Sequence, residues 1–270
     1  NLAEGEVALT PYVRVDRNGV TIITPRADLG QGVSSVLAAM VAEELDIAWN
    51  DVKIDFGPPG QAYYNGVVLA EGLPFPATDD SMLARIVRAA AATGSKLIDL
   101  QITGGSSSVS DAFDKMRVAG ATAREMLIMA AAQTWGVDRA TCTASQGFVH
   151  HQGKKLSYGS LAAAAAKVAV PADAPLKDAK DFKLIGKPDL VRLDNVAKTT
   201  GAPVFTIDVQ LPGMLHASLA QSPGAMPGSN YPPGAAGSLA GASGARRTIS
   251  GTAAAHNACY AAPSQAPGGP

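Results

Sequence analysis

The sequence predicts an α+β fold. Short alternating stretches predict strands, runs with apolar residues three and four positions apart predict helices, and glycine- or proline-containing turns separate them. Strands and helices follow one another without the strict βαβ alternation of a doubly wound sheet. The 270 residues suffice for one large domain or two smaller ones.

The first predicted elements are a β-hairpin and a helix. Residues 12–23 alternate around an Asn-Gly pair, which is typical of tight hairpin turns. A helix is predicted over residues 34–45 because its apolar residues recur on one face. Glu43 and Glu44 lie late in this helix, and we expect them on a solvated face.

A strand, an irregular stretch and a second helix follow. The strand covers residues 52–56 and ends at a Gly-Pro-Pro-Gly turn. Residues 61–78 lack periodicity and are expected to form an ordered excursion. A helix over residues 79–93 is expected to end at Gly94. Its expected apolar stripe consists of Met82, Ile86, Ala89 and Ala90.

The centre of the chain is a polar glycine loop that opens into a long helix. The loop covers residues 103–108, and the spacing of Ser108 and Asp111 predicts a capping box. The helix is expected to run to Trp135, because Gly136 is a typical residue just beyond a helix end.

The last third changes character. A short hairpin over residues 142–156, a helix capped by Ser157 and a strand over residues 203–209 are predicted. From Gly224 onward glycine, proline, alanine and serine dominate, and no acidic residue occurs. Such a segment buries too little apolar surface to order itself, so it is expected to be disordered; a shifted reading frame is the alternative origin.

The composition speaks against several classes of function. A net charge of −1 gives no electrostatic basis for binding nucleic acid or an anionic membrane, and no apolar run reaches membrane-spanning length. Two cysteines are too few for a disulfide framework or a metal cage, and no histidine stands at metal-ligand spacing. No catalytic residue and no direct metal ligand is predicted.

The most informative motif is Gly30-Gln31-Gly32, directly before the first helix. Glycine allows close approach of a ligand or a positive φ, and a helix N-terminus favours anions. Taken alone, the motif is explained more simply by a turn before an amphipathic helix.

The second candidate is the glycine loop. Its candidate binding residues are Thr103, Gly104, Gly105, Ser106 and Ser107, whose N–H groups and hydroxyls are donors suited to a pyrophosphate or the edge of a pterin. An ordinary helix start is an equal alternative. Arg117 and Arg124 follow about two turns apart; one could contact a phosphate, although a surface pair is the simpler interpretation.

Four segments together resemble a known family. They read RADLGQGVSSVLAAMVAEELDIAW, ITGGSSSVSDAFDKMRVAGATAREMLIMAAAQTWGV, LSYGSLAAAAAKV and PLKDAKDFKLIGKPDLVRLDNVAKTTGAPVFTIDVQLPGMLHASLAQSP. In this order they resemble the first part of the molybdopterin-binding large subunit of the xanthine dehydrogenase and aldehyde oxidase family. The most similar branch is the beta subunit of isoquinoline 1-oxidoreductase, and the resemblance covers most of residues 12–223.

The resemblance implies a division of the chain. Residues 1–184 resemble the first part of the molybdenum-cofactor-binding region, and residues 185–223 resemble the start of the alpha/beta hammerhead domain. Residues 224–270 match no part of the family pattern and are expected to be a disordered or frameshifted tail.

The resemblance also implies a chemistry. The parent enzymes oxidise aldehydes or N-heteroaromatic compounds with water-derived oxygen and pass electrons to a separate [2Fe–2S] iron–sulfur subunit. Their cofactor is a molybdopterin cytosine dinucleotide with molybdenum, and Gln31 matches the glutamine that hydrogen-bonds a terminal ligand of the metal. The residue 103–107 loop is expected to hold another part of the cofactor.

The family's general-base glutamate has no counterpart in these 270 residues, so this chain alone is expected to be inactive. The alternative is a non-catalytic truncated product or a small-molecule-binding module. Export to the periplasm and a cytoplasmic location both stay open.

Overall fold

The computed structural model describes residues 2–76, 78–214, 216–221 and 257–262. The chain divides into two units, residues 1–201 and 202–270. The helices of the first unit are α1 (Val33–Leu45), α2 (Val67–Ala70), α3 (Met82–Leu97), α4 (Ser107–Trp135), α5 (Tyr158–Ala165) and α6 (Asn195–Thr199). Its strands are β1 (Val7–Thr10), β2 (Val13–Asp16), β3 (Gly19–Thr24), β4 (Val52–Phe56), β5 (Thr143–Ser145), β6 (Phe148–His151) and β7 (Lys154–Ser157). This mixture confirms the α+β class.

The first sheet positions the glutamine motif. Its strand order is β1-β2-β3-β4, with antiparallel pairing as far as β3 and parallel pairing of β3 with β4. Helix α1 makes the crossover between the two parallel strands, so the segment between β3 and α1 lies at the carboxyl end of β3. Loops at this end of a crossover are common ligand-binding positions.

The second sheet is a three-stranded meander, β5-β6-β7. The predicted hairpin over residues 142–156 thus gains a third strand, because both Gln146-Gly147 and Gln152-Gly153 form turns with positive φ. Ser157 caps α5 by accepting a hydrogen bond from Ser160 N at 3.2 Å, and Gly136 ends α4 with φ 67°. The predicted Ser157 cap and the predicted helix end at Gly136 are confirmed.

Helix α1 lies in the core and crosses α4. All its residues except Val36 are buried, and alanines at the contact bring the two helices close together. Gly120 on α4 is the point of closest approach: a Cβ there would lie 2.7 Å from Val41 O. The crossing therefore depends on the absence of a side chain at this position.

Replacing Gly120 with alanine is expected to lower the free energy of unfolding by about 1–3 kcal/mol, because the added methyl group forces the helices apart. Gly94→Ala is the matched control, since a Cβ there meets nothing within 4 Å. That change should stabilise α3 by up to about 1 kcal/mol through helix propensity. Urea denaturation of both variants measures the difference; equal effects would contradict the close crossing.

The prediction that Glu43 and Glu44 lie on a solvated face is wrong. Both are buried, because residues 166–194, the connector between α5 and α6, cover this side of α1. Glu43 Oε2 accepts hydrogen bonds from three consecutive backbone N–H groups, those of Lys183 (2.8 Å), Leu184 (2.6 Å) and Ile185 (3.2 Å). The carboxylate therefore fastens the connector to the helix.

Glu44 pairs with the two arginines that the sequence placed on a surface. Arg117 Nε donates to Glu44 Oε1 at 2.8 Å, and Arg124 Nη1 lies 3.3 Å from Glu44 Oε2. Arg124 Nη1 also donates to the Glu44 carbonyl at 2.5 Å. Both arginines thus join α4 to α1, and the surface-pair interpretation is wrong.

Helix α3 runs through Gly94 to Leu97, three residues beyond the predicted end. Its apolar stripe is present, but it faces solvent rather than the core: Met82 is 79% exposed and Ile86 59% exposed. The smaller residues on the opposite side pack toward α2, and Ala84 is fully buried there.

The second unit has few described elements. A 3-10 turn over Thr206–Asp208 occupies the centre of the predicted 203–209 strand, so that prediction is wrong. Strand β8 (His216–Gln221) pairs antiparallel with β9 (Asn257–Ala262). The rest of the predicted disordered tail, residues 224–256 and 263–270, lies outside the described residues. Across the described ranges, no helix is long and apolar enough to cross a membrane.

Candidate functional site

The segment directly before the glutamine motif contacts the first residue of the glycine loop. Ala27 N, just before the glutamine motif, donates a hydrogen bond to Thr103 Oγ1 at 3.0 Å. Ala27, Leu29 and Thr103 line an open cleft of about 580 Å³, next to the two motifs in sequence. Apolar side chains such as Leu29, Phe56 and Ile102 line it together with the polar Gln101. Residues 76 positions apart in sequence thus form one site.

Gln31 lies at the exposed tip of its loop with its amide held in one orientation. Its Oε1 accepts a hydrogen bond from Leu29 N at 2.6 Å, which identifies the oxygen because a backbone N–H is a donor. Its Nε2 makes only a long 3.4 Å contact with the Ala27 carbonyl. Gly30 and Gly32 have φ of 104° and 82°, values that side chains disfavour. The Gln31 Nε2 group can therefore donate a further hydrogen bond to a ligand.

The N-terminus of α1 is already filled by Asp28. Its carboxylate accepts hydrogen bonds from Gly30 N (2.8 Å), from Gly32 N (3.4 Å) and from both the N–H and the hydroxyl of Ser34 (3.2 and 2.7 Å). Partial burial alone would raise the pKa of Asp28, but these hydrogen bonds outweigh it and lower that pKa. Asp28 therefore already places a negative charge at this helix end.

The glycine loop leaves the N-terminus of α4 open. Ser106 is the N-cap with φ 56°, and no side chain caps this end among the described residues. Ser107 is buried, and its hydroxyl donates to the Gly104 carbonyl at 2.7 Å while accepting from Asn65 Nδ2 at 2.8 Å. The capping box of Ser108 and Asp111 does not form.

Asp111 points instead into a buried network that anchors the site. It pairs with Arg26 (Nη2–Oδ2 2.5 Å) and with Lys115 (2.8 Å), and it accepts from Gly66 N at 2.7 Å. Arg26 also donates to the carbonyls of Tyr63 and Tyr64. Burial lowers the pKa of Arg26, and Asp111 opposes that shift. The hydrophobic periodicity of the sequence does not predict that Arg26 is buried. The one available signal is a charged residue two positions after the apolar strand β3.

Two residues that line the cleft have a buried polar atom without a hydrogen-bond partner among the described residues, Arg26 at Nε and Gln101 at Oε1, and Gln101 supplies the acceptor. Its Nε2 donates to the Pro25 carbonyl at 3.1 Å, whereas its Oε1 is buried and has no hydrogen-bond partner in the described part of the chain. A buried amide oxygen without a donor is costly, so a ligand or water with an N–H or O–H group fits there. Sequence reasoning missed this residue.

Two negative findings bound the chemistry of the site. Arg117 and Arg124, the candidate phosphate contacts, are both engaged with Glu44. Within the described ranges, no group of three or more His, Cys, Asp or Glu side chains could hold a metal ion. From the described residues, the site therefore offers hydrogen-bond donors and the Gln101 acceptor.

Comparisons with known proteins identify relatives. No family model matches the chain. The isoquinoline 1-oxidoreductase beta subunit of Brevundimonas diminuta is 30% identical over 248 residues, covering 78% of this chain and 28% of the relative. The membrane-bound aldehyde dehydrogenase [pyrroloquinoline-quinone] of Gluconacetobacter polyoxogenes is 29% identical over 202 residues, covering 73% and 22%. A nicotinate dehydrogenase subunit from Pseudomonas putida is 28% identical over 223 residues, covering 82% and 16%.

Among solved structures, CO dehydrogenase from Oligotropha carboxidovorans matches with a TM-score of 0.35 and 19% identity, covering 55% of this chain and 15% of that chain. The chain spans less than a third of the length of each curated relative. The sequence relatives agree with the resemblance carried by the four segments, and over this first part the chain is similar to the oxidoreductases of the molybdenum hydroxylase family.

Proposed function

We propose that this chain supplies the first part of a molybdenum-cofactor site in an oxidoreductase large subunit. The observation that carries the proposal is the Gln31 amide on an exposed loop, whose Oε1 is tied to Leu29 N, so that its Nε2 is the donor left for a ligand. The parent activity is oxidation of an aldehyde or N-heteroaromatic compound, with electrons passed to a separate [2Fe–2S] subunit. Two relatives are named as single subunits of their enzymes, which supports a multi-subunit enzyme.

The residues present fit such a cofactor. When bound, it supplies two-electron oxidation of a carbon with oxygen derived from water. Gln31 Nε2 would donate to an oxygen of the cofactor, and donors of this kind tune a metal's electronics without binding it directly. Gln101 Oε1 lacks a donor, and pterin rings carry N–H groups that could satisfy it. The uncapped end of α4 suits a phosphate, because its N–H groups and helix dipole favour an anion.

One side chain opposes the phosphate. A Cβ at Gly105 would lie 2.6 Å from Glu71 Oε2, so a carboxylate stands against the glycine loop. Glu71 is exposed, so water and salt screen its charge. Its charge should weaken binding without preventing it.

Other parts of the proposal concern the whole subunit. We propose residues 1–184 as the first piece of the cofactor-binding region and residues 185–223 as the start of the hammerhead domain. The cytosine dinucleotide form of the cofactor belongs to the same proposal. The name of one relative carries pyrroloquinoline quinone, so any assay must distinguish that cofactor from molybdenum.

The direct test replaces the corresponding region of the Brevundimonas isoquinoline 1-oxidoreductase beta subunit with residues 12–223 of this chain. With the iron–sulfur subunit present, we expect bound molybdenum and substrate-dependent dye reduction. Gln31→Ala should lower turnover about 10- to 100-fold, the usual cost of losing a donor next to a metal site. Gln61→Ala is the matched control, because Gln61 is exposed in a separate turn. Equal turnover in both variants, or activity restored by the quinone alone, would contradict the proposal.

A second test uses the 270-residue chain by itself. Cytidine 5′-diphosphate, the nucleotide part of the proposed cofactor, should shift the amide NMR signals of Gly104, Gly105 and Ser106. Glu71→Gln should tighten this binding about threefold, as expected for removing one exposed like charge. Shifts confined to other surfaces would argue against the glycine loop as a phosphate site.

A further inference from the structure

The connector between α5 and α6 returns to the loop that carries Gln31. Arg192 Nη1 donates a hydrogen bond to the Gly30 carbonyl at 2.9 Å, across 162 positions of sequence. A Cβ added at Gly32 would lie 3.4 Å from the same guanidinium, so the arginine also lies next to the second glycine. One side chain thus bonds to the residue before Gln31 and lies next to the residue after it.

Arg192 is itself held in place. Its Nε and Nη2 donate to the two carboxylate oxygens of Asp194 at 3.0 and 2.7 Å. This bidentate salt bridge fixes the guanidinium plane. The hydrogen bond from Arg192 holds the pKa of Asp194 well below its usual range; desolvation opposes this shift, and Lys198 reinforces it. Asp194 therefore stays charged at neutral pH.

The backbone around Arg192 is tied to the core. Trp49 Nε1 donates to the Val191 carbonyl at 2.7 Å, and Leu193 N donates to Ser35 Oγ at 3.1 Å. These bonds fix the residues directly before and after Arg192 against the region of α1. The guanidinium consequently reaches the loop from a fixed position rather than from a free chain.

Fixing the Gly30 carbonyl also fixes the orientation of the next residue. That carbonyl belongs to the planar Gly30–Gln31 peptide. Gly30 and Gly32 restrict the backbone little by themselves, because glycine has no Cβ and both adopt positive φ. Asp28 holds the N–H groups of Gly30 and Gly32, so Arg192 supplies the restraint that Asp28 cannot.

We infer that Arg192, oriented by Asp194, is a positioning residue that aims the Gln31 amide at its ligand. The inference rests on the proposed function, because it assumes that Gln31 contacts a cofactor. The restraint that Arg192 places on the loop does not depend on that function. No contact of Arg192 with the ligand is implied. Its effect on the reaction is through Gln31.

The test is amide hydrogen exchange of the 270-residue chain, measured by NMR without cofactor. In Arg192→Ala, the N–H groups of Leu29, Gly30 and Gly32 should exchange about tenfold faster through local opening. The N–H of Gly147, which donates to the Asp46 carbonyl, should be unchanged. A merely structural role would instead accelerate exchange everywhere and lower the unfolding midpoint.

Three further variants sharpen the test. Asp194→Asn should accelerate the same loop amides although it does not contact them, and combining it with Arg192→Ala should add little. Arg192→Lys should restore part of the protection, because lysine can reach the Gly30 carbonyl but cannot also form the bidentate salt bridge. Arg85→Ala on α3, which removes another exposed arginine, should leave the loop unchanged.

Unchanged loop exchange in both Arg192→Ala and Asp194→Asn would overturn the inference. Because the measurement needs no cofactor, this failure is distinct from failure of the proposed function, which would show as unaffected turnover in Gln31→Ala. Faster exchange in Arg192→Ala, with protection partly recovered in Arg192→Lys, would support it.

Discussion

Replacing Asp111 with asparagine is expected to lower the free energy of unfolding by about 3 kcal/mol, because it leaves Arg26 charged, buried and unpaired. The Arg26 and Asp111 side chains are 1% and 3% exposed, so little water is available to replace the lost charge. Urea denaturation followed by circular dichroism measures the change.

Asp114→Asn is the matched control for Asp111→Asn. It lies on the same helix three residues away, is exposed, and should change stability by less than about 0.5 kcal/mol. The Asp111 variant should also speed hydrogen exchange at Gly66 N, which donates to this carboxylate. A stability loss equal to that of the control would show that the buried network does not anchor the glutamine loop.

Replacing Glu43 with alanine should have a comparable effect, again about 3 kcal/mol. The change removes the acceptor of three consecutive backbone N–H groups and leaves Lys177 without this partner. Loss of the acceptor should release the connector, so the amides of residues 183–185 should exchange faster than those of α1. Denaturation and exchange together measure the two consequences.

Asp178→Asn provides the comparison for the Glu43 variant. Asp178 belongs to the same connector, but its pair with Lys180 is exposed, and exposed ion pairs contribute little. We expect a change below about 0.5 kcal/mol. If Glu43→Ala were equally mild, water would be replacing the carboxylate, and the connector would not depend on it.

Local signals predicted much of this fold. The Asn-Gly hairpin, the end of α4 at Gly136 and the start of α5 at Ser157 each depend on a few neighbouring residues, and all three form as expected. The position of Gln31 between two positive-φ glycines was also readable from the sequence. These features need no distant partner to be recognised.

The features that sequence reasoning missed depend on distant partners. Glu43 and Glu44 resemble a solvated pair until the connector, more than 130 positions away, covers them. Asp111 looked like a cap because its true partner, Arg26, lies 85 positions upstream. Periodicity correctly predicted the apolar stripe of α3, but it cannot tell whether anything lies against that stripe.

The contacts of Glu43 also determine which changes the connector can tolerate over evolutionary time. The carboxylate contacts main-chain N–H groups, so the side chains of Lys183, Leu184 and Ile185 are not what it recognises. Substitutions there can accumulate while the attachment persists, with proline excluded because it lacks the N–H. Relatives could therefore differ in the amino-acid sequence of this segment while the same main-chain hydrogen bonds attach it to α1.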